Sequence, residues 1–162
     1  MAAVRDVILM VMVLFIFGMG FFVINFATKT MVTAIVNVPL VNNSVEPKQA
    51  FNDLATTMDR LDYLVFGVFI AYLLGIIISG WYVAGNPLFV FIYFLVTTIG
   101  VIVSIFLSNV WYEFSNNALL VSSLSSFPIT DHLLTFLPMY ATAIGILGLV
   151  VMFAKPYVDR SL

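Results

Sequence analysis

The sequence predicts an all-α integral membrane protein with four transmembrane helices and one short amphipathic interfacial helix. Two observations support this fold class. Of the 162 residues, 63% are hydrophobic and only 9% are charged. Four runs contain no Asp, Glu, Lys, Arg or His, namely residues 7–28, 63–83, 88–110 and 133–154. At about 1.5 Å of rise per residue, each run can cross roughly 30 Å of hydrocarbon, so one four-span domain accounts for residues 1–162.

The first span, residues 7–28, exceeds the apolar part of a cleaved signal peptide, and we expect it to be retained. Residues 31–36 continue the helical pattern, so this helix should pass beyond the hydrocarbon until Pro39 ends it. Turn residues then cluster at 42–44 and at Pro47. The end of the first helix and the turn after it therefore belong to the largest loop of the chain, which lies between the first two spans.

Residues 48–62 are predicted to form the interfacial helix, which continues or bends into the second span. Apolar side chains recur along one face with helical spacing: Phe51, Leu54, Met58 and Leu61. The charged side chains lie mostly on the opposite face, which we expect to be solvated: Asp53, Asp59, Arg60 and Asp62.

The second and third spans are joined by a tight turn at residues 84–87, with Pro87 at the start of the third helix. This short connection predicts that the two spans form an antiparallel hairpin. The third span ends at Trp111 and Tyr112, aromatic residues that suit the lipid headgroup boundary.

The fourth helix is predicted to open at Pro128, with Thr130 and Asp131 in its first turn. Pro138 lies inside this helix and lacks the N–H that would bond to the carbonyl of Leu134. We therefore expect a kink close to Pro138.

Small residues recur every four positions in three of the spans, which is a pattern typical of helix-packing interfaces in membranes. They are Gly67, Ala71, Gly75 and Ser79 in the second span, Gly100, Ser104 and Ser108 in the third, and Ala141 and Gly145 in the fourth. One interpretation is an interface with another subunit. The alternative, favoured by the nearby hairpin partner, is packing inside the chain's own bundle.

The sequence offers little chemistry for catalysis or cofactor binding. There is no Cys and only one His, His132, so we expect no cofactor, no metal centre and no enzymatic activity. The net charge of -2 provides no basic surface for nucleic acid. Hydroxyl groups within the spans are expected to bond to the preceding turn or to a neighbouring helix.

Two short segments resemble small multi-pass proteins from the internal membrane of tailless icosahedral viruses and phages. One closes the third span at residues 107–112 and the other opens the fourth helix at residues 127–131, with Leu137–Pro138 and residues 141–148 completing the likeness. This resemblance covers the last third of the chain and implies a structural virion membrane protein.

These features favour a non-enzymatic structural or assembly subunit of a membrane-embedded complex, with the lipid bilayer, further copies of itself or a protein scaffold as partners. Two alternatives stay open, a holin-like pore and an accessory subunit of a membrane enzyme. The cell membrane and a virion membrane are both possible locations.

The charges flanking the spans indicate the orientation. Each side of the membrane holds three Lys or Arg residues: Arg5, Lys155 and Arg160 beside the termini, and Lys29, Lys48 and Arg60 in the loop after the first span. The α-amino group breaks this tie, which places the termini on the cytoplasmic or interior side.

Overall fold

The computed structural model describes residues 2–83 and 87–158, and this part of the chain is α-helical apart from short turns. The helices follow in the order α1 Ala2–Val36, α2 Pro39–Asn42, α3 Val45–Asp59, α4 Leu61–Val83, α5 Pro87–Ser115, α6 Val121–Leu124, α7 Pro128–Thr135 and α8 Leu137–Val158. The turn predicted at residues 84–87 lies largely outside the described residues, but α5 begins at Pro87 as expected.

Four helices are long and apolar enough to cross a membrane, which confirms the predicted fold class. They are α1, the stretch Val45–Tyr82 that contains α3 and α4, and then α5 and α8. The first helix runs to Val36, so the expected extension beyond the first apolar run is also confirmed. The protein is therefore an all-α integral membrane protein.

The four long helices run up and down, but consecutive helices are not always neighbours. Along the described residues the backbones of α4 and α5 barely approach each other, and each packs instead against α1 and α8. Gly80 of α4 and Tyr93 of α5 both meet Gly148 of α8. The two helices are antiparallel, as predicted for a hairpin, but they do not pack against each other, because α1 and α8 lie between them.

The bundle has a narrow apolar core and an apolar outer surface. Val7, Met10 and Ile76 are among the fully buried side chains of its central cluster. By contrast, Phe106 and Ile16 remain about two-thirds exposed, at 66% and 65%. Large apolar side chains on the outside are favourable in lipid and costly in water, so this surface fits a hydrocarbon environment.

Helix α3 returns beside the end of α1 and forms a short antiparallel hairpin with it. It spans Val45–Asp59 rather than 48–62, and a turn at Arg60 separates it from α4. Leu61 therefore belongs to α4, not to the apolar face of α3. On that face Phe51 and Met58 are half-buried, whereas Leu54 is exposed. Placement of α3 at the membrane surface stays a prediction.

The fourth span is interrupted at Phe136, between α7 and α8, two residues before the proline that predicted a kink. The freed carbonyl of Thr135 accepts a hydrogen bond from the Ser108 hydroxyl of α5 at 2.6 Å. A hydroxyl from a neighbouring helix thus satisfies a backbone group that the break leaves open. Ser108, predicted as a packing residue, stabilises this break.

Substitution of Ser108 by Ala should lower the free energy of unfolding by about 1 kcal/mol, because the Thr135 carbonyl loses its partner. Reversible unfolding in mixed micelles measures this change. Thr98→Val is the matched control, since the Thr98 hydroxyl bonds only to the Phe94 carbonyl of its own helix. Equal effects of the two substitutions would contradict this role of Ser108.

Candidate functional site

Asp62 holds the start of α7 through three hydrogen bonds. Its Oδ2 accepts the backbone N–H of Ile129 at 3.0 Å, and its Oδ1 accepts the Thr130 N–H at 2.7 Å and the Thr130 hydroxyl at 2.6 Å. The first N–H groups of a helix have no partners within it, and Phe127 supplies no side-chain cap. A carboxylate from α4 therefore caps α7 from outside.

This contact corrects the expectation that Asp62 is solvated. Its side chain is only 3% exposed, and it lies in the first turn of α4 rather than on the polar face of α3. The N-terminal dipoles of both α4 and α7 favour a negative charge at this position. The burial of Asp62 is thus compensated by charge-assisted hydrogen bonds.

Trp111 makes a second polar contact at the same end of the bundle. Its indole N–H donates to Oδ1 of Asp131 at 2.9 Å. The ring is fully buried and meets Phe22 edge to face at 5.6 Å between centroids. Phe22 makes a similar contact with Phe127 at 5.8 Å. Trp111 thus packs inside the bundle, whereas Tyr112 is exposed, and the placement of both residues at the headgroup boundary stays a prediction.

Asp59 ties α3 to α1, and Lys29 connects this hairpin to the segment before α7. Oδ1 of Asp59 forms an ion pair with Lys29 Nζ at 2.7 Å and accepts a hydrogen bond from the Asn25 amide at 3.1 Å. Lys29 Nζ also donates to the Ser126 hydroxyl at 2.6 Å. Asn25 is fully buried, and its Oδ1 has no partner in the described part of the chain. The sequence had suggested that Asp59 is solvated, but its side chain is half-buried and bonded.

Together these side chains form what we call the loop-end network: Asn25, Lys29, Asp59, Asp62, Trp111, Thr130 and Asp131. It joins α1, α3, α4, α5 and α7 at one end of the bundle. Its carboxylates accept bonds from backbone, amide, indole and ammonium groups of the protein itself. The arrangement is suited to fixing helix positions, since each of its carboxylates already accepts from donors of the chain.

His132 lies outside this network. It is exposed on α7, where its ring packs against Phe136 at 4.8 Å and Tyr140 at 6.1 Å between centroids. Across residues 2–83 and 87–158, no group of three or more His, Cys, Asp or Glu side chains could hold a metal ion. The contacts of His132 are those of an aromatic packing residue.

Small residues of α5 and α8 lie inside the bundle. A Cβ atom at Gly100 would lie 3.2 Å from Val7 Cγ1, and one at Gly145 would lie 3.4 Å from Thr97 Cβ and overlap its methyl group. Ser104 and Ala141 are fully buried as well. Within the spans, the hydroxyls of Thr98, Ser104 and Thr142 bond to the preceding turn of their own helices, as predicted.

The ridge on α4 points the other way. Gly67, Ala71 and Gly75 are exposed, and a Cβ at either glycine would meet no atom of the chain within 4 Å. Ser79, half-buried, donates to the Ile76 carbonyl. Packing inside the chain's own bundle, the interpretation the sequence favoured, does not describe these three residues. They are left on the outer face, where an interface with another subunit stays a prediction.

The exposed ridge borders a shallow groove of about 290 Å³, lined by Ala71, Tyr72, Gly75 and Ile76. Two of its lining residues, Ala71 and Gly75, belong to the ridge, and the larger Tyr72 and Ile76 lie beside them. Such a surface allows a second helix to approach closely. We call Gly67, Ala71 and Gly75 the outer ridge.

Sequence reasoning missed the loop-end network almost entirely. The acids at positions 59 and 62 looked solvated because they alternate with apolar residues in an amphipathic pattern. One signal was present, since Asp62 is the last charged residue before an uncharged span and a buried cap fits that place. Its partner Thr130 lies 68 residues further on, and no local pattern connects the two.

Comparison of the chain with protein-family models, with curated proteins and with solved structures finds no match in any of the three.

Proposed function

We propose that this protein is a non-enzymatic structural subunit of a membrane-embedded complex and that the outer ridge contacts a neighbouring subunit. The observation that carries the proposal is the contrast between its glycines. The space beside the glycines of α5 and α8 is occupied by side chains of the same chain, whereas a Cβ at Gly67 or Gly75 would meet no atom within 4 Å. Exposed small residues at four-residue spacing offer close helix contact to a partner, and they offer lipid less contact than large side chains would.

The loop-end network supports the same proposal. Its charged groups stabilise the bundle, and the core between the long helices is filled by apolar side chains such as Leu14, Leu137 and Ile144. A structural role needs this kind of rigid and chemically quiet scaffold. A pore through one bundle would instead need a polar path.

We further propose that the loop end docks to a protein scaffold, such as the shell of a virion. Leu40 and Val45, in the connection between α1 and α3, are 82% and 80% exposed. With the termini on the interior side, this apolar tip would face outward, toward a shell that surrounds the membrane. The resemblance to internal membrane proteins of icosahedral viruses supports a shell as the scaffold.

Substitution of Gly75 by Leu should abolish association while leaving the fold of the single chain intact, because Gly75 is exposed and a Cβ there meets no atom of the chain within 4 Å. Native mass spectrometry in mild detergent measures the oligomer, and circular dichroism measures the fold. We expect an oligomer for the natural chain and a monomer for the variant.

Gly20→Leu is the matched control, because a Cβ at Gly20 of α1 also meets nothing within 4 Å but lies off the outer ridge. It should keep the oligomer. A lone monomer for the natural chain, with no co-purifying partner, would refute the structural role. Dye release from liposomes that depends on Gly75 would favour the pore instead.

A further inference from the structure

A mixed polar and apolar cleft lies beside the end of α1, away from the outer ridge. Its volume is about 470 Å³, and its walls include Phe26, Lys29, Ala34, Asn37, Leu119 and Ser123. Volumes of roughly 300–1,000 Å³ are usual for small-molecule sites. The cleft therefore has room for a group much larger than water.

The position of the cleft along α1 suggests its depth in a membrane. Lys29 is the first charged residue after the uncharged run of residues 7–28. An ammonium group there reaches the layer where lipid phosphates lie. Phe26 lies one turn closer to the hydrocarbon, and Leu119 adds a second apolar wall. Phe26 thus lies on the hydrocarbon side of Lys29, as the acyl chains of a phospholipid lie on the hydrocarbon side of its phosphate.

The polar part of the cleft is rich in donors. An ammonium group carries three hydrogens, and Lys29 directs one to Asp59 and one to Ser126. The third hydrogen has no acceptor within the described residues. The side chains of Asn37 and Ser123 likewise make no hydrogen bond within the described part of the chain, and both can donate. These three groups line the same cleft and are donors of the kind that phosphate oxygens accept.

We propose that this cleft binds the phosphate group of a membrane phospholipid, with Lys29, Asn37 and Ser123 as donors and Phe26 beside the glycerol and upper acyl chains. Asp59 balances the charge of Lys29, so recognition depends on hydrogen bonds more than on net charge. Zwitterionic and anionic phospholipids should therefore bind with similar affinity. The proposal does not rest on the structural role proposed above.

Titration of the purified chain in mild detergent with phosphatidylethanolamine or phosphatidylglycerol, followed by native mass spectrometry, tests the site. The natural chain should retain one phospholipid per chain. Ala34→Phe places a ring in the cleft, because helical side chains lean toward the N-terminus, and should weaken binding by about tenfold or more. Asn37→Asp, which replaces a donor by an anion, should weaken binding in the same way.

Ala27→Phe is the matched control, since Ala27 is also exposed on α1 but lies two turns before Ala34 and does not line the cleft. It should bind phospholipid as the natural chain does. Undiminished binding by Ala34→Phe, or an equal loss in Ala27→Phe, would overturn the site. Binding of inorganic phosphate as tight as that of phospholipid would show a free-anion site and overturn the lipid assignment.

Discussion

Replacement of Asp62 by Ala is expected to lower the free energy of unfolding by about 3 kcal/mol, the largest loss we predict for a side chain of the loop-end network. The change leaves the Ile129 N–H, the Thr130 N–H and the Thr130 hydroxyl without their acceptor. Hydrogen bonds to a charged group contribute about 1.5–3 kcal/mol each, and the loss of a helix cap alone costs about 1 kcal/mol. Water can reach only part of this buried site and so compensates incompletely.

Asp62→Asn should have a smaller effect, because its amide oxygen still accepts from Thr130. Some stability is still lost, because the amide NH₂ then faces the donor that the second oxygen of Asp62 accepted. Unfolding by denaturing detergent in mixed micelles measures both variants. Asp53→Asn is the control, since Asp53 is an exposed acid on α3. If Asp62→Ala were no more destabilising than Asp53→Asn, the cap would have no energetic importance.

The cap also explains why the bundle needs a charge so close to the hydrocarbon. Pro128 begins α7 without an N–H, yet Ile129 and Thr130 still present two open donors. In lipid or at its boundary, unsatisfied backbone groups cost several kcal/mol, so a partner is required. Asp62 provides it from the first turn of the neighbouring helix, and this contact fixes the register between α4 and α7.

The spans were predictable from sequence because hydrophobic length is a local property. Residues 7–28 and 88–110 identify their helices without any knowledge of neighbours. The course of the fourth span was only partly predictable. Pro138 indicated a kink, but the break falls at Phe136, where Ser108 can bond to the carbonyl of Thr135.

The orientation of the small residues could not be read from their spacing. Gly75 and Gly145 occur in the same four-residue pattern, yet one faces outward and the other packs on Thr97. The difference arises from the arrangement of helices, because α4 does not pack against α5. A short connection suggested that the two helices are neighbours, and only the tertiary structure shows α1 and α8 between them.

Substitution of Gly148 by Ala is expected to lower the free energy of unfolding by about 2 kcal/mol, within the range measured for overpacked cores. The added Cβ would lie 2.7 Å from Cζ of Tyr93 and would overlap its hydroxyl oxygen. Tyr93 is only 1% exposed, so its ring has little room to move. Gly80 also meets the Gly148 carbonyl at 3.6 Å from its ideal Cβ position, so α8 cannot shift freely away from α5.

Gly75→Ala is the matched control for this prediction, because a Cβ there meets no atom of the chain. Alanine is favoured over glycine in helix interiors by about 1 kcal/mol, so this variant should be neutral or more stable in its monomeric form. The same unfolding measurement in mixed micelles compares the two. Opposite signs would show that Gly148 is required for contact within the bundle and that Gly75 is not. If Gly148→Ala were as stable as Gly75→Ala, α8 would be able to move away from Tyr93, and the close approach of α5 and α8 would then not depend on glycine.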